Sequence, residues 1–276
     1  MVESNKTSFS AAKLQDYLDC ERRYELKYIL EQSWPAIPSE PVLEIEENIR
    51  KGNSFHFLVH QYFSGISEDI LKNSINDEDI NSWFNSFLKF IHTLQIERSF
   101  SEFPVMYQFG SIQFSAVFDL IYSTKNGEIG IIDWKTSHIS PRKSTLSLKI
   151  QSILYPFLLR ETAHEFFPEI DLRAKNIFMR YWYPTSPQKE YIFPYDESIH
   201  EKNRTFLSSL ADEILVKKTG EFSLTRDEKK CGYCIYRSLC NRGIDAANLL
   251  DLEENGLDED NLTIDFDQLP ELFANE

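Results

Sequence analysis

The stretch SIQFSAVFDLIYSTKNGEIGIIDWKTS, residues 111–137, decides the reading of this chain. Two runs rich in Val, Ile, Phe and Tyr flank Lys125-Asn126-Gly127, and apolar runs joined by an Asn-Gly turn are the pattern of a β-hairpin. Asp119 closes the first apolar run and Asp133 closes the second, with Lys135 following after one residue. Side chains alternate along a strand, so Asp133 and Lys135 share a face while Trp134 points away. If the strands pair through the turn, Asp119 comes beside Asp133. Neighbouring carboxylates repel unless a hard cation sits between them, and Mg²⁺ prefers such oxygen ligands. An adjacent ammonium can then orient water and balance charge on a phosphate, which is the chemistry of phosphodiester hydrolysis. The plain alternative for the same residues is two strand-end aspartates and a solvated lysine.

Working outward, residues 147–166 predict a helix, KNIFMRYWY (175–183) and KEYIFPY (189–195) two strands, and residues 197–218 another helix. Upstream, residues 8–31 have apolar spacing of helical period and Ser8 or Ser10 as a cap, which places Cys20 inside a helix. Pro35, Pro38 and Pro41 interrupt the chain before helices expected at 44–63 and 78–99. The expectation is an α/β fold with helices around a sheet. No internal repeat and no phosphate-binding P-loop is visible, so no ATP-driven motor is expected.

The chain has 276 residues, 42% of them hydrophobic, enough for a proper core. Its N-terminal residues do not resemble a signal peptide and no run is apolar enough to span a membrane, so a cytoplasmic location is expected. The formal charge of −15 argues against a nucleic-acid partner at first sight. From Gly243 onward, however, there are eleven acidic residues and no Lys or Arg, which leaves −4 for residues 1–242. A body of that charge can still carry a basic groove, and a block of like charges marks a solvated tail. The division is therefore a domain at 1–242 and an acidic tail at 243–276. Within the tail, Gln268-Leu269 and Leu272-Phe273 resemble the short peptide by which bacterial replication and repair proteins dock on the sliding clamp; the plainer reading is a solubilising or groove-shielding segment.

Other residues bear on the centre. His56, in Gly52-Asn53-Ser54-Phe55-His56, offers an imidazole ligand, although a lone histidine is more often a plain core or surface residue. Gln151 and Tyr155 lie four apart on one helix face, where both can point at substrate or at Lys135, or simply form a polar face. The four cysteines are Cys20 and, far downstream, Cys231, Cys234 and Cys240 in a C-x2-C-x5-C array. Under reducing conditions close thiolates chelate soft metals rather than form disulfides, and four of them suit structural zinc or an iron–sulfur cluster. Spacing chooses neither metal and does not establish that distant Cys20 is a ligand.

Taken in order, G-x-x-x-H at residues 52–56, the aspartate of AVFDL, IIDWKTS and Q-x-x-x-Y at residues 151–155 resemble the RecB-like and Cas4-like branch of the PD-(D/E)xK nucleases. The resemblance implies a restriction-endonuclease-like core with a mixed central sheet flanked by helices. It implies that His56, Asp119, Asp133 and the Trp134 carbonyl bind Mg²⁺ or Mn²⁺, that Lys135 is the catalytic lysine, and that Gln151 and Tyr155 complete the site. Iron–sulfur members of the branch, Cas4 and the AddB nuclease domain among them, carry one cysteine before the core and C-x2-C-x5-C after it. The resemblance thus implies a 4Fe-4S cluster on Cys20, Cys231, Cys234 and Cys240 that joins the chain ends. Two departures are Val117, where a small residue is usual two before the first aspartate, and Glu21, where proline usually follows the first cysteine. The implied activity is a DNA exonuclease or end-processing nuclease preferring single strands, in repair and recombination or CRISPR adaptation. The alternatives are a non-catalytic or partner-dependent DNA-binding subunit of a helicase–nuclease or CRISPR adaptation complex, and a zinc-stapled domain with no nuclease role.

Overall fold

The structure, a computed structural model, describes residues 8–32, 39–40, 42–137, 141–170 and 173–248. The clamp-like residues Gln268, Leu269, Leu272 and Phe273 lie outside them. The elements begin with β1 (Ser8–Phe9), α1 (Ala11–Asp19), α2 (Glu21–Tyr24), β2 (Ser39–Glu40), α3 (Val42–Phe63), α4 (Glu68–Ser74) and α5 (Glu78–Ile91). The sheet strands β3 (Ile96–Phe109), β4 (Ile112–Thr124) and β5 (Ile129–Trp134) follow, then α6 (Lys143–Leu146) and α7 (Ile150–Thr162). The chain continues through β6 (Ile177–Trp182), β7 (Glu190–Pro194), α8 (Glu197–Val216), α9 (Lys229–Gly232) and β8 (Ala247–Asn248).

The expected hairpin is the middle of a six-stranded mixed sheet. β4 pairs antiparallel with β5 in the register Leu120↔Ile132, β5 runs parallel to β6, and β6 pairs antiparallel with β7. β3 covers the other edge of β4 along its whole length, and β1 adds two parallel residues at the start of β4. Helices cover both faces. One core joins the sheet to α1, α7 and α8 through residues such as Leu14, Leu154, Phe157 and Leu207, and the other to α3, α4 and α5 through Phe55, Leu71, Phe84 and Phe87. Because both faces are covered, β5 is buried at every position, Asp133 included, in keeping with its otherwise apolar sequence. Each large side chain so buried contributes on the order of 1.5–3 kcal/mol. Among the described residues no helix is long and apolar enough to cross a membrane.

Two expected helices differ from those found. The one expected at 8–31 is a short strand, then α1, a break at Cys20 with φ −163° and ψ 109°, then α2 and a π-helical turn over Glu25–Ile29. Extended backbone at Cys20 turns the chain where the main-chain N–H of Arg22 reaches the Ser223 carbonyl (3.0 Å). The helix expected at 78–99 stops at Ile91. Asp77 caps its start by accepting from the N–H groups of Asp79 and Ile80, and its apolar face ends with Ile91, after which the chain enters β3. β3 escapes sequence reading because charged residues and Pro104 interrupt it. Its position at the sheet edge tolerates both.

Candidate active site

The carboxyl groups are gathered by a local inversion of the pleat. On β4, Phe114, Ala116 and Phe118 face the α1/α7/α8 core, yet Ile121 does too, whereas Leu120 and Tyr122 face α3 and α5. On β3, Phe100 and Phe103, three residues apart, both pack on the first core with ring centroids 5.0 Å apart. The strands stay in register through this point, with Ser101 opposite Leu120 and Phe103 opposite Phe118. The inversion therefore sits at Ser101–Glu102 on one strand and Asp119–Leu120 on the other. Its backbone signature is Glu102 at φ +48°, a left-handed conformation that costs a residue with a Cβ about 1–3 kcal/mol. In return, Glu102 and Asp119 both face the C-terminal half of α3, where His56 lies.

His56 Nδ1 lies 3.6 Å from Asp119 Oδ2 and 3.7 Å from Glu102 Oε1, and its Nε2 is 3.1 Å from the Trp134 carbonyl. One ligand atom each from His56, Glu102 and Asp119 falls within 4.8 Å of the others. Asp119 Oδ2 also accepts from the Trp134 main-chain N–H at 2.9 Å, which ties β4 to the end of β5. Asp133 is buried beside this group. Burial pushes Asp119 up to about 7; the His56 charge opposes the rise, and Asp133 and Glu102 add to it. For His56, burial disfavours the imidazolium, but Asp119, Glu102 and Asp133 outweigh it and raise the group to about 9. These are the marks of an excess of carboxylates awaiting positive charge. An imidazole nitrogen, three carboxylates and a backbone carbonyl form a mostly hard donor set that fits Mg²⁺ or Mn²⁺.

Lys135 stands at the other side of Asp133. Its Nζ is 3.1 Å from Asp133 Oδ2 and donates to Gln151 Oε1 at 3.2 Å, while the Gln151 amide nitrogen donates to Asp133 Oδ1. One glutamine at the start of α7 thus fixes both members of the D-x-K pair. The Lys135 main-chain N–H donates to the Trp182 carbonyl (3.0 Å), which holds the strand end against β6. Trp134 points away as expected, edge-on to Phe87 and Trp182. Tyr155 differs from Gln151. Its hydroxyl donates to the Val117 carbonyl (3.1 Å) rather than to Lys135, and burial with Asp133 and Asp119 nearby holds its proton firmly, above the usual tyrosine range. Gly52, one turn before His56, leaves the space that Thr136 occupies. The structure thus brings together all the nuclease-motif residues expected from the sequence and adds Glu102. Nothing in the sequence marked Glu102, one of two acids in a broken apolar run.

The four cysteines form a second constellation. Cys20, Cys231, Cys234 and Cys240 line one cavity with Arg23, Lys230, Arg237 and Arg242, and all four are free thiols. Arg242 Nη1 lies 3.7 Å from Cys231 Sγ. Burial pushes the Cys234 thiol up to about 11 and raises Cys231 and Cys240 in the same direction. Four sulfur donors in a cationic pocket fit a soft metal centre bound as an anionic tetrathiolate. The two ends of the domain also meet without a metal, through Lys217 on Glu21 (2.6 Å), Lys230 on Asp19 (2.8 Å) and the buried carboxylate of Glu25, which accepts from the Gly220 N–H.

No curated protein matches the sequence. Among solved structures, a protein from Eubacterium rectale reported as "Putative exonuclease" superposes with a TM-score of 0.51 at 12% identity, over 90% of this chain and 93% of that one. The protein SSO0001 aligns at a TM-score of 0.40 and 14% identity, over 87% and 88% of the two chains. At such identities the first likeness speaks to fold alone. The family model of the PD-(D/E)XK nuclease superfamily matches residues 8–241, nearly all of the described fold with both constellations, and the chain belongs to that superfamily.

Proposed function

We propose that the chain is a Mg²⁺- or Mn²⁺-dependent deoxyribonuclease that trims or processes DNA ends and prefers single strands. The observation that carries this is the convergence of His56, Glu102 and Asp119 within 4.8 Å, beside an Asp133–Lys135 pair fixed by Gln151. His56, Glu102, Asp119, Asp133 and the Trp134 carbonyl would hold the cation, which when bound polarises the phosphate and lowers the pKa of a bound water. Lys135 supplies a fixed positive charge where negative charge develops on the phosphate, and its proton can stabilise or protonate an oxygen there. Gln151 keeps the ammonium aimed, and Tyr155, through the Val117 carbonyl, stiffens β4 beneath Asp119.

The four cysteines are read as ligands of a 4Fe-4S cluster, and the sulfur-only donor set supports that reading over an ordinary buried-thiol group. A cytoplasmic setting, a helicase or CRISPR-adaptation partner, and clamp docking through Gln268, Leu269, Leu272 and Phe273 complete the proposal. The clamp part is open to a binding assay with a peptide of residues 262–276, which should lose affinity when Leu272 and Phe273 become Ala. For the activity, end-labelled single- and double-stranded DNA are digested with Mn²⁺. Wild type should shorten the single strand and Asp119→Ala should not, whereas equal digestion by the variant overturns the assignment. Protein purified without air should be brown; a colourless, zinc-containing preparation overturns the cluster reading.

A further inference from the structure

The pleat inversion in β3 requires two consecutive residues, Ser101 and Glu102, to face α3, which a regular strand forbids. Each is met by a histidine from a consecutive turn of that helix. His56 faces the Glu102 carboxylate, and His60, four residues later on the same helix face, shares a hydrogen bond of 2.8 Å between its Nδ1 and Ser101 Oγ. On the far side Phe100 and Phe103 are packed together in the other core, so both ends of the inverted segment are held. The left-handed backbone at Glu102 is unfavourable for a glutamate by itself, so it persists only where the surroundings over-determine it.

On the reading of the metal site given above, we propose that His60 is a positioning residue: through Ser101 it holds the β3 inversion that aims Glu102 at the cation. His60 does not touch the cation or the substrate. Without its imidazole, Ser101 is no longer held beside Glu102, the left-handed backbone at Glu102 is free to relax, and the carboxylate loses its fixed aim at the cation. The site then keeps His56, Asp119 and Asp133 and loses one carboxylate.

The test is Mn²⁺ affinity, measured by calorimetry on the folded full chain, with no turnover involved. His60→Ala should weaken Mn²⁺ binding about tenfold, the scale typical of losing a group that orients a ligand. Ser101→Ala should do the same from the other partner, and His60→Asn, which keeps a polar atom near the Nδ1 position, should restore most of the affinity. The decisive arm is a double-mutant cycle. In a Glu102→Gln background, already weakened, His60→Ala should cause no further loss, because its effect runs through that carboxylate. An equal additional loss in that background, or unchanged affinity in both His60→Ala and Ser101→Ala, overturns the proposal and leaves the metal site standing. If Glu102→Gln itself binds Mn²⁺ as tightly as wild type, Glu102 is not a ligand and the proposal falls with that part of the site.

Discussion

Gly52→Ala separates positioning of the active site from stability of the fold. A Cβ at position 52 would lie 2.7 Å from Thr136 Oγ1, and the next neighbour is Thr136 Cβ at 3.8 Å. The first distance is a clash and the second an ordinary contact. Inside α3 the change has a favourable part, since alanine is preferred to glycine in a helix by about 1 kcal/mol. Overpacking of about 1–3 kcal/mol opposes it, so the net loss of stability is about 0–2 kcal/mol, a few degrees in Tm. Thr136 follows Lys135 directly, and its β-branched side chain has few rotamers into which to escape. The strand end must therefore move by part of an ångström, and a misplacement near 1 Å at a catalytic group costs up to about 10²-fold in rate. Single-turnover cleavage of a fluorescent single-stranded oligonucleotide with Mn²⁺ should fall about 10–100-fold while the melting curve shifts little. Adding Thr136→Ala removes the oxygen in conflict and should return the rate close to that of wild type. A Gly52→Ala protein that cleaves normally, or a double variant as slow as the single one, would falsify this account of why a glycine stands there.

Two further expectations concern regions away from the cation site. If the four cysteines hold the proposed cluster, Cys20→Ser should lose iron and lower Tm by about 4–8 °C, corresponding to roughly 2 kcal/mol, rather than unfold the chain, because the ties from Glu21, Asp19 and Glu25 remain; retained iron with an unchanged melting curve would show that Cys20 is only buried. His200, buried between the Glu161 carboxylate (2.9 Å), the Tyr195 hydroxyl (3.0 Å) and Arg204, has its pKa lowered, by burial first and with Arg204 acting the same way against Glu161. Arg160 also lowers it. Since the unfolded histidine takes up its proton near pH 6.5 and the folded one only at lower pH, the unfolded state binds more protons in that window and stability falls as pH drops below about 6.5. His200→Gln should flatten the pH dependence of Tm between that pH and the folded pKa; an unchanged slope would mean that other groups cause it.

The hairpin, the acids and Lys135 were legible because alternation and a turn dipeptide are local signals, and because D-x-K places its two charges on one face by strand geometry alone. Gln151 was legible from its spacing, and the structure gives it a sharper part than Tyr155, whose hydroxyl is taken by the Val117 carbonyl. Glu102 was not legible. Its arrival at the site depends on a left-handed residue inside an edge strand and on the matching inversion at Asp119, both of which arise from packing on two sides of the sheet. The break at Cys20 was hidden for a related reason, since residues 8–31 keep helical spacing of apolar residues across it. What ends α1 is the meeting with residues 217–223, some two hundred positions away.

In the proposed function, a cation held by the carboxylates and a lysine held by Gln151 divide the labour of phosphodiester cleavage. Measuring Mn²⁺ binding and single-turnover cleavage on the same preparations of wild type and Lys135→Ala tests it most directly. The variant should bind Mn²⁺ about as tightly as wild type and cleave on the order of 10²–10³-fold more slowly. A Lys135→Ala protein that cleaves at the wild-type rate, or a wild-type protein that binds Mn²⁺ at this site and cuts no DNA, contradicts it.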